Sequence, residues 1–328
     1  MFTTAGMARF EASLNPKADP CGLGLASKTC TIDEASLKPD HSGLSVVTTN
    51  ITAITMVAAC EKNNHVFLSM NEEPMFENAC IAPTALAGVL NNVLQSERIS
   101  DYCPNGLQVE GRGEIRRVIT GVTASLAFLK AATEKGADAV LVHHGLFWKG
   151  DPPTLTGFRR QRLAHVLAHD LNVFAYHLPL DVHPVMGNNI QLGLQMGWTL
   201  EKMVGEKGLV CVGEALEPMT VGQWCQQIQN TFGRHVECIG EKDRIIKRFA
   251  WCTGGAASYV ELASLQGVDA YLTGELSEPA VHVAMETGTV LLGAGHHATE
   301  RGGVLAIGEY LKLNHGLEVE FLDFPVPV

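Results

Sequence analysis

Apolar residues show no clear period over residues 1–75 and become regular from Ile81 onward. Leu86, Leu90, Val93 and Leu94 fall on one face of a helix. A loop is expected over residues 101–111, where Pro104, Asn105 and Gly106 supply turn chemistry. Residues 115–122 read as a strand, 124–135 as a helix stopped by Gly136, 138–142 as a short buried strand, 154–170 as a helix and 172–176 as the next strand. The rhythm returns later in the chain. Strands over 247–253, 269–273 and 289–293 alternate with helices over 256–265, 281–286 and 300–313, and 317–321 closes as a strand. Such alternation predicts an α/β fold with mostly parallel or mixed sheets covered by helices.

One hexapeptide is echoed: Gly-Ala-Asp-Ala-Val-Leu at 136–141 and Gly-Val-Asp-Ala-Tyr-Leu at 267–272. Both copies follow a helix and open a strand, which suggests two related α/β lobes. The chain is therefore read as an extension over 1–75, a first lobe over 76–200 that the C-terminal strand region can join, and a second lobe over 201–328. Residues 46–60 are the most apolar part of the extension, yet too short and Thr-rich to span a bilayer, which takes about 20 apolar residues. Val57-Ala58-Ala59-Cys60 resembles a lipoprotein cleavage box but lies far from the start, with Lys38 the nearest basic residue upstream. A poorly ordered extension, or an over-long start with Met70 or Met75 as the initiator, is the expectation.

Composition narrows the function classes. A formal net charge of −11 opposes nonspecific nucleic-acid binding, which needs a basic footprint. A DNA-associated ring would require Arg159, Arg160 and Arg162 to gather on one rim. Nine cysteines, an odd number, are widely spaced without a C-x-x-C, so reduced thiols in a cytoplasmic protein are expected rather than a disulfide framework or zinc ribbon.

The chemistry lies at the strand ends, where open α/β sheets place their sites. His143-His144-Gly145 follows one strand, and His177 with Asp181 follows the next. Gly274-Glu275 follows a third, and His296-His297 with Glu300 follows a fourth. Imidazole and carboxylate together suit iron, zinc, manganese or nickel. A carboxylate can bridge two ions through its two oxygens, and five donors plus water oversupply one ion, so a two-metal centre is expected. Competing constellations are weaker. His165 and His169 share a helix face without the glutamate of a zincin helix. Gly254-Gly255 could offer N–H groups to a phosphate or simply make a tight turn. Cys252 has no setting that would make it a nucleophile.

At these residues the chain resembles the NIF-three-like proteins, often catalogued as GTP cyclohydrolase 1 type 2 homologs, especially the bacterial forms without a middle insertion. The matching stretches are ISDYCPNGLQVEG at 99–111, VHHGLFW at 142–148, YHLPLDVHP at 176–184 with GNN at 187–189, CTGGA at 252–256, LTGELSE at 272–278 and GHHATERGG at 295–303. The resemblance runs from about residue 76 to the C-terminus. It implies metal ligands at His143, His144, Asp181, His296 and Glu300, with His144 and Asp181 on one ion, His143 and His296 on the other, and Glu300 bridging. His296 is preferred to His297 because the family's pattern fixes the first of the pair. The roles of His183 and His297 stay open; His177 is a further ligand or a proton carrier, and Glu275 is a second candidate for proton transfer. The resemblance also implies a toroidal homohexamer. Two functions follow: a dinuclear metal-dependent hydrolase of a nucleotide-like or phosphoester substrate, GTP cyclohydrolase chemistry being suggested by the family's label, or a non-enzymatic metal-handling or interaction protein.

Overall fold

A computed structural model describes residues 79–327, which form two sheets with helices on both faces of each. The extension over 1–75, with its Val57–Cys60 box, Met70 and Met75, and Cys21, Cys30 and Cys60 lie outside the described residues. Helix α1 (Pro83–Leu94) starts with proline at its first position, where the missing N–H costs nothing, and ends at left-handed Gln95. It buries Leu86, Leu90 and Leu94 and leaves Val93 half-buried. The stretch expected to be a loop holds an edge strand, β1 (Gly106–Val109). Only four residues long and half-buried, it carries too little alternation to be read from sequence.

Strands β2 (Arg117–Thr123), β3 (Ala139–His144) and β4 (Asn172–Ala175) are parallel and buried on both faces, linked by helices α2 (Leu126–Glu134) and α3 (Gly157–Ala168). Helices α4 (Leu178–Val182) and α5 (Asn188–Met196) then lead to the second sheet. That sheet contains β5 (Trp198–Val204), β6 (Val210–Thr220), β7 (Glu237–Ile239), β8 (Ile245–Cys252), β9 (Ala270–Thr273) and β10 (Val290–Gly293). Helices α6 (Val221–Phe232), α7 (Val260–Ser264) and α8 (Glu278–Thr287) connect its strands. The short α9 (His296–Thr299) and the long α10 (Arg301–His315) return the chain to the first sheet, where β11 (Glu318–Phe321) pairs in parallel with β2.

Strand order is β1-β4-β3-β2-β11 in the first sheet and β5-β6-β8-β9-β10-β7 in the second. The first contains four adjacent parallel strands and the second three, each set flanked on one side by a short antiparallel edge, β1 beside β4 and β7 beside β10. The hexapeptide echo marks this likeness. Asp138 Oδ2 accepts the backbone N–H groups of Arg116 and Arg117, both at 2.9 Å. Asp269 Oδ2 accepts those of Lys247 at 3.0 Å and Arg248 at 2.9 Å. In each sheet one carboxylate accepts two N–H groups just before the parallel pairing with the neighbouring strand begins.

Helix α10 starts at the second sheet and buries Val304, Ile307 and Leu311 in the core of the first. It passes close to α5. A Cβ at Gly303 would come within 2.6 Å of Asn188 Oδ1, and that oxygen accepts the Gly303 N–H at 2.7 Å. Among the described residues no helix is long and apolar enough to cross a membrane.

Candidate metal centre

Three stretches of the chain deliver the chemistry. His143 and His144 are the last residues of β3, His177 caps the N-terminus of α4 and Asp181 lies inside it. His296 opens α9 after β10, and Glu300, four residues on, shares its face at the junction with α10. The first sheet thus contributes His143, His144 and Asp181, and the second contributes His296 and Glu300.

The five side chains meet. Glu300 Oε1 lies 3.1 Å from His296 Nε2 and 3.5 Å from His143 Nε2, while Oε2 lies 3.2 Å from His144 Nε2. Asp181 Oδ1 lies 3.4 Å from His143 Nε2. Ligand atoms within reach of one another form three groups: His143 with Asp181 and Glu300, His144 with His296 and Glu300, and His143 with His144 and His177. Glu300 is shared by the first two. These groups set His143 beside Asp181 and His144 beside His296, whereas the resemblance crossed the pairs.

Each imidazole is turned by its outer nitrogen. His143 Nδ1 donates to the Tyr176 carbonyl at 3.0 Å, so the lone pair of the neutral ring belongs to Nε2, which faces the cluster. His144 Nδ1 lies 3.0 Å from Thr123 Oγ1. His296 Nδ1 lies 2.5 Å from Glu275 Oε1, and His177 Nδ1 lies 3.0 Å from Asp101 Oδ1. Carbonyl or carboxylate partners on the outer nitrogen are the usual support of metal-ligating histidines. Asp181 is held by Asn188 Nδ2 at 2.8 Å. His143 Nε2 and Glu300 Oε2 are buried and have no hydrogen-bond partner. Buried polar atoms left without a hydrogen bond cost free energy as they stand. A divalent cation would satisfy both, so the donor set fits metal.

The electrostatics point the same way. Burial would lower His143, but the Asp181 and Glu300 carboxylates outweigh it and raise its pKa to about 9. His296 is likewise pulled down by burial and raised to about 9 by Glu300 and Glu275. His144 is lowered to about 3 by burial and its imidazole neighbours, despite Glu300. Burial pushes Glu300 up, but His143 and His144 hold it well below the ordinary carboxylate range. Burial, with Glu300 adding, raises Asp181. Protons on His143 and His296 take the place of cationic charge.

Gly254 decides how closely the second sheet approaches. It sits at φ 69, and a Cβ there would fall 2.1 Å from Glu300 Oε1. Its N–H is used by Thr299 Oγ1 at 3.0 Å, so the Gly254-Gly255 turn makes room for Glu300; this N–H is not free for a phosphate. His297 Nε2 binds Asp323 at 2.7 Å, and His183 Nδ1 accepts the Met186 N–H at 2.9 Å; neither belongs to the groups above. His165 binds Thr133 on the surface of α3, and Cys252 is buried with its thiol pushed well above its ordinary pKa by burial. Among the described residues all six cysteines are free.

Sequence reasoning missed Asp101, which accepts from the Leu178 N–H at 2.9 Å and orients His177. It also missed the work of Asn188 and Asn189. Asn189 Oδ1 accepts the Thr253 N–H at 2.8 Å, and its Nδ2 donates to the Leu209 carbonyl at 3.0 Å. The asparagines carried a signal, two adjacent amides opening a stretch with Ile190 and Leu192; Asp101, beside the turn at 104–106, carried none.

The model of the Duf34/NIF3 (NGG1p interacting factor 3) family matches residues 83–326. The chain belongs to this family. NIF3 relatives include the GTP cyclohydrolase 1 type 2 homolog of Pseudomonas aeruginosa, 47% identical over 250 residues that span 75% of this chain and 99% of that protein. The homolog of Escherichia coli strain K12 is 47% identical over 246 residues, 74% of this chain and 98% of that one. A solved structure described as protein ybgI, of unknown function, superposes with a TM-score of 0.73 at 45% identity, covering 76% of this chain and 100% of that chain. TTHA1606 from Thermus thermophilus gives 0.66 at 29% identity, covering 76% and 100%.

Proposed function

We propose that this NIF3 chain is a metal-dependent hydrolase whose two divalent ions are held by His143, His144, Asp181, His296 and Glu300, and that it acts on a nucleotide-like or phosphoester substrate. The observation that supports it is the shared carboxylate: each oxygen of Glu300 faces different imidazoles, and two ligand groups meet on it. Divalent ions would supply Lewis acidity and bring a water's pKa toward neutrality. The protein's own groups do the rest. Glu275 turns His296, Asp101 turns His177, and Asn188 fixes Asp181. His177, its ring centroid 5.0 Å from that of His143, is the group placed to carry a proton at Nε2.

The arrangement is graded from buried to open. The His143, Asp181 and Glu300 side chains are sealed, while His296 retains 28% of its exposure. An open edge favours turnover over storage. The reading is tested by screening the metal-loaded protein against nucleotides and phosphoesters beside Glu300→Gln; activity equal in the two would assign the hydrolysis elsewhere. We also propose that copies assemble, as a homohexamer by family likeness. Light scattering of the purified chain checks this, a monomer being the contrary result.

A further inference from the structure

The loop after β3 and the first turns of α3 enclose a cavity of about 190 Å³. Its walls are of two kinds. Trp148, Pro152, Pro153 and Leu155 supply flat apolar surface, and Arg159 and Arg162 supply charge. Trp148 is the wall shared with the metal cluster. Its ring meets His177 edge-on at 5.1 Å between centroids and lies 5.8 Å from that of His144. A single indole therefore separates the cavity from two imidazoles of the cluster.

The charges do not cancel. Arg159 Nη2 binds Asp151 Oδ1, also in the wall, at 2.5 Å. Among the described residues no carboxylate lies within ion-pair distance of Arg162. Both guanidinium groups lie over the exposed ring of Phe158, at 5.0 and 5.1 Å from its centroid, which holds them side by side. Burial and the charge of Arg159 both act against the charge on Arg162. Two guanidinium groups against one carboxylate leave a positive lining on a chain of net charge −11. A guanidinium fork matches the oxygens of phosphate or carboxylate in pairs. The indole and proline faces suit a planar ring.

We infer that this cavity is a ligand subsite: an oxyanion sits on Arg162 and Arg159, a flat ring joined to it lies against Trp148, and the reacting end reaches past the indole to the histidine cluster. At about 190 Å³ it is smaller than pockets that enclose whole ligands, roughly 300 Å³ and upward, so it takes one end of the molecule only. The inference rests on the hydrolase reading and names the substrate class for it: a small ring compound bearing phosphate or carboxylate.

Trp148 also reports on the site. Of the four tryptophans, Trp198, Trp224 and Trp251 are buried in the second lobe's core, which leaves Trp148 as the indole a ligand can touch. The full, metal-loaded chain is titrated with a purine nucleoside monophosphate, its nucleoside, inorganic phosphate, and an aromatic carboxylate beside its neutral amide. We expect saturable change in emission with an oxyanion-bearing ring, weaker change with the neutral partners, and no signal in Trp148→Phe. Arg162→Gln weakens binding about tenfold or more, the size of one lost charged hydrogen bond, with metal content unchanged. Asp151→Asn tightens it, which a merely misfolded variant would not do. Equal affinity in Arg162→Gln and the parent, or equal binding of nucleotide and nucleoside, overturns the subsite. Whichever oxyanion depends on Arg162 identifies the group. Binding that depends on Arg162 without turnover keeps the subsite and removes the hydrolase; turnover indifferent to Arg162→Gln does the reverse.

Discussion

His143 shows how one residue acquires a role. Its Nδ1 is tied to the Tyr176 carbonyl, so Nε2, which carries the lone pair of the neutral ring, faces Asp181 and Glu300. Metal needs that lone pair, and the metal-free protein fills it with a proton, because the imidazole stays charged up to about 9. His296 behaves alike. Ion uptake at neutral pH would therefore expel protons, and apparent affinity for zinc or manganese should climb as pH rises from about 6.5 to about 9. Competition titrations at the two ends of that window check it; a flat profile refutes it. The sign for folding is opposite. A raised pKa stabilises the metal-free fold fully below 6.5, and that contribution fades as pH passes through 9, so the metal-free melting temperature should fall over the same interval. Asp181→Ala and Glu300→Gln should each lower bound metal per chain, measured by plasma mass spectrometry; full stoichiometry in both would remove the five-ligand centre. The residue types and their strand-end positions were legible in sequence. Which nitrogen faces inward was not, because it depends on a carbonyl 33 positions away.

Among elements, the clearest legible feature was the repeated hexapeptide. Its aspartates do the same task, yet they differ in setting: the Asp138 side chain is 16% exposed and that of Asp269 37%. Removing either leaves two strand-end N–H groups without their acceptor, and solvent can replace it more easily at Asp269. Asp138→Ala should cost about 1–3 kcal/mol and Asp269→Ala less, read from urea unfolding. A larger loss at Asp269 would contradict this. Strands over 115–122, 138–142, 172–176, 269–273 and 289–293 were visible because both faces are buried, giving short apolar runs. The β5–β6 pair was not, since β5 shows mostly exposed side chains after Trp198 and its period is diluted. Helix α6 did carry a sign, the capping box of Thr220 and Gln223, and it went unread. Gly254→Ala joins element to site: left-handed φ and the clash with Glu300 together should lower both melting temperature and metal content. Normal metal content in that variant would show that the second sheet can give way.

At the scale of the whole molecule, a metal held as proposed would tie the two sheets together, because its candidate ligands come from both. An ion that binds only the assembled fold stabilises it by about 2.7 kcal/mol at a hundred times its dissociation constant. Chelation should therefore lower the unfolding midpoint by several degrees, and Glu300→Gln should lose most of that response; an equal response in both proteins would separate stability from this centre. Pairing of the lobes could not be read from sequence, because Asn188, Asn189 and Gly303 act through contacts between distant segments. Their order along the chain has a consequence for synthesis. Translation delivers His143, His144 and Asp181 long before Glu300, and α10 must then cross back to the first sheet. A nascent polypeptide thus exposes an unfinished cluster lacking its shared carboxylate, and would hold a cation more weakly than the proposed centre. Choice of ion would then fall to the finished protein, with free-metal levels rather than the order of synthesis deciding what is retained.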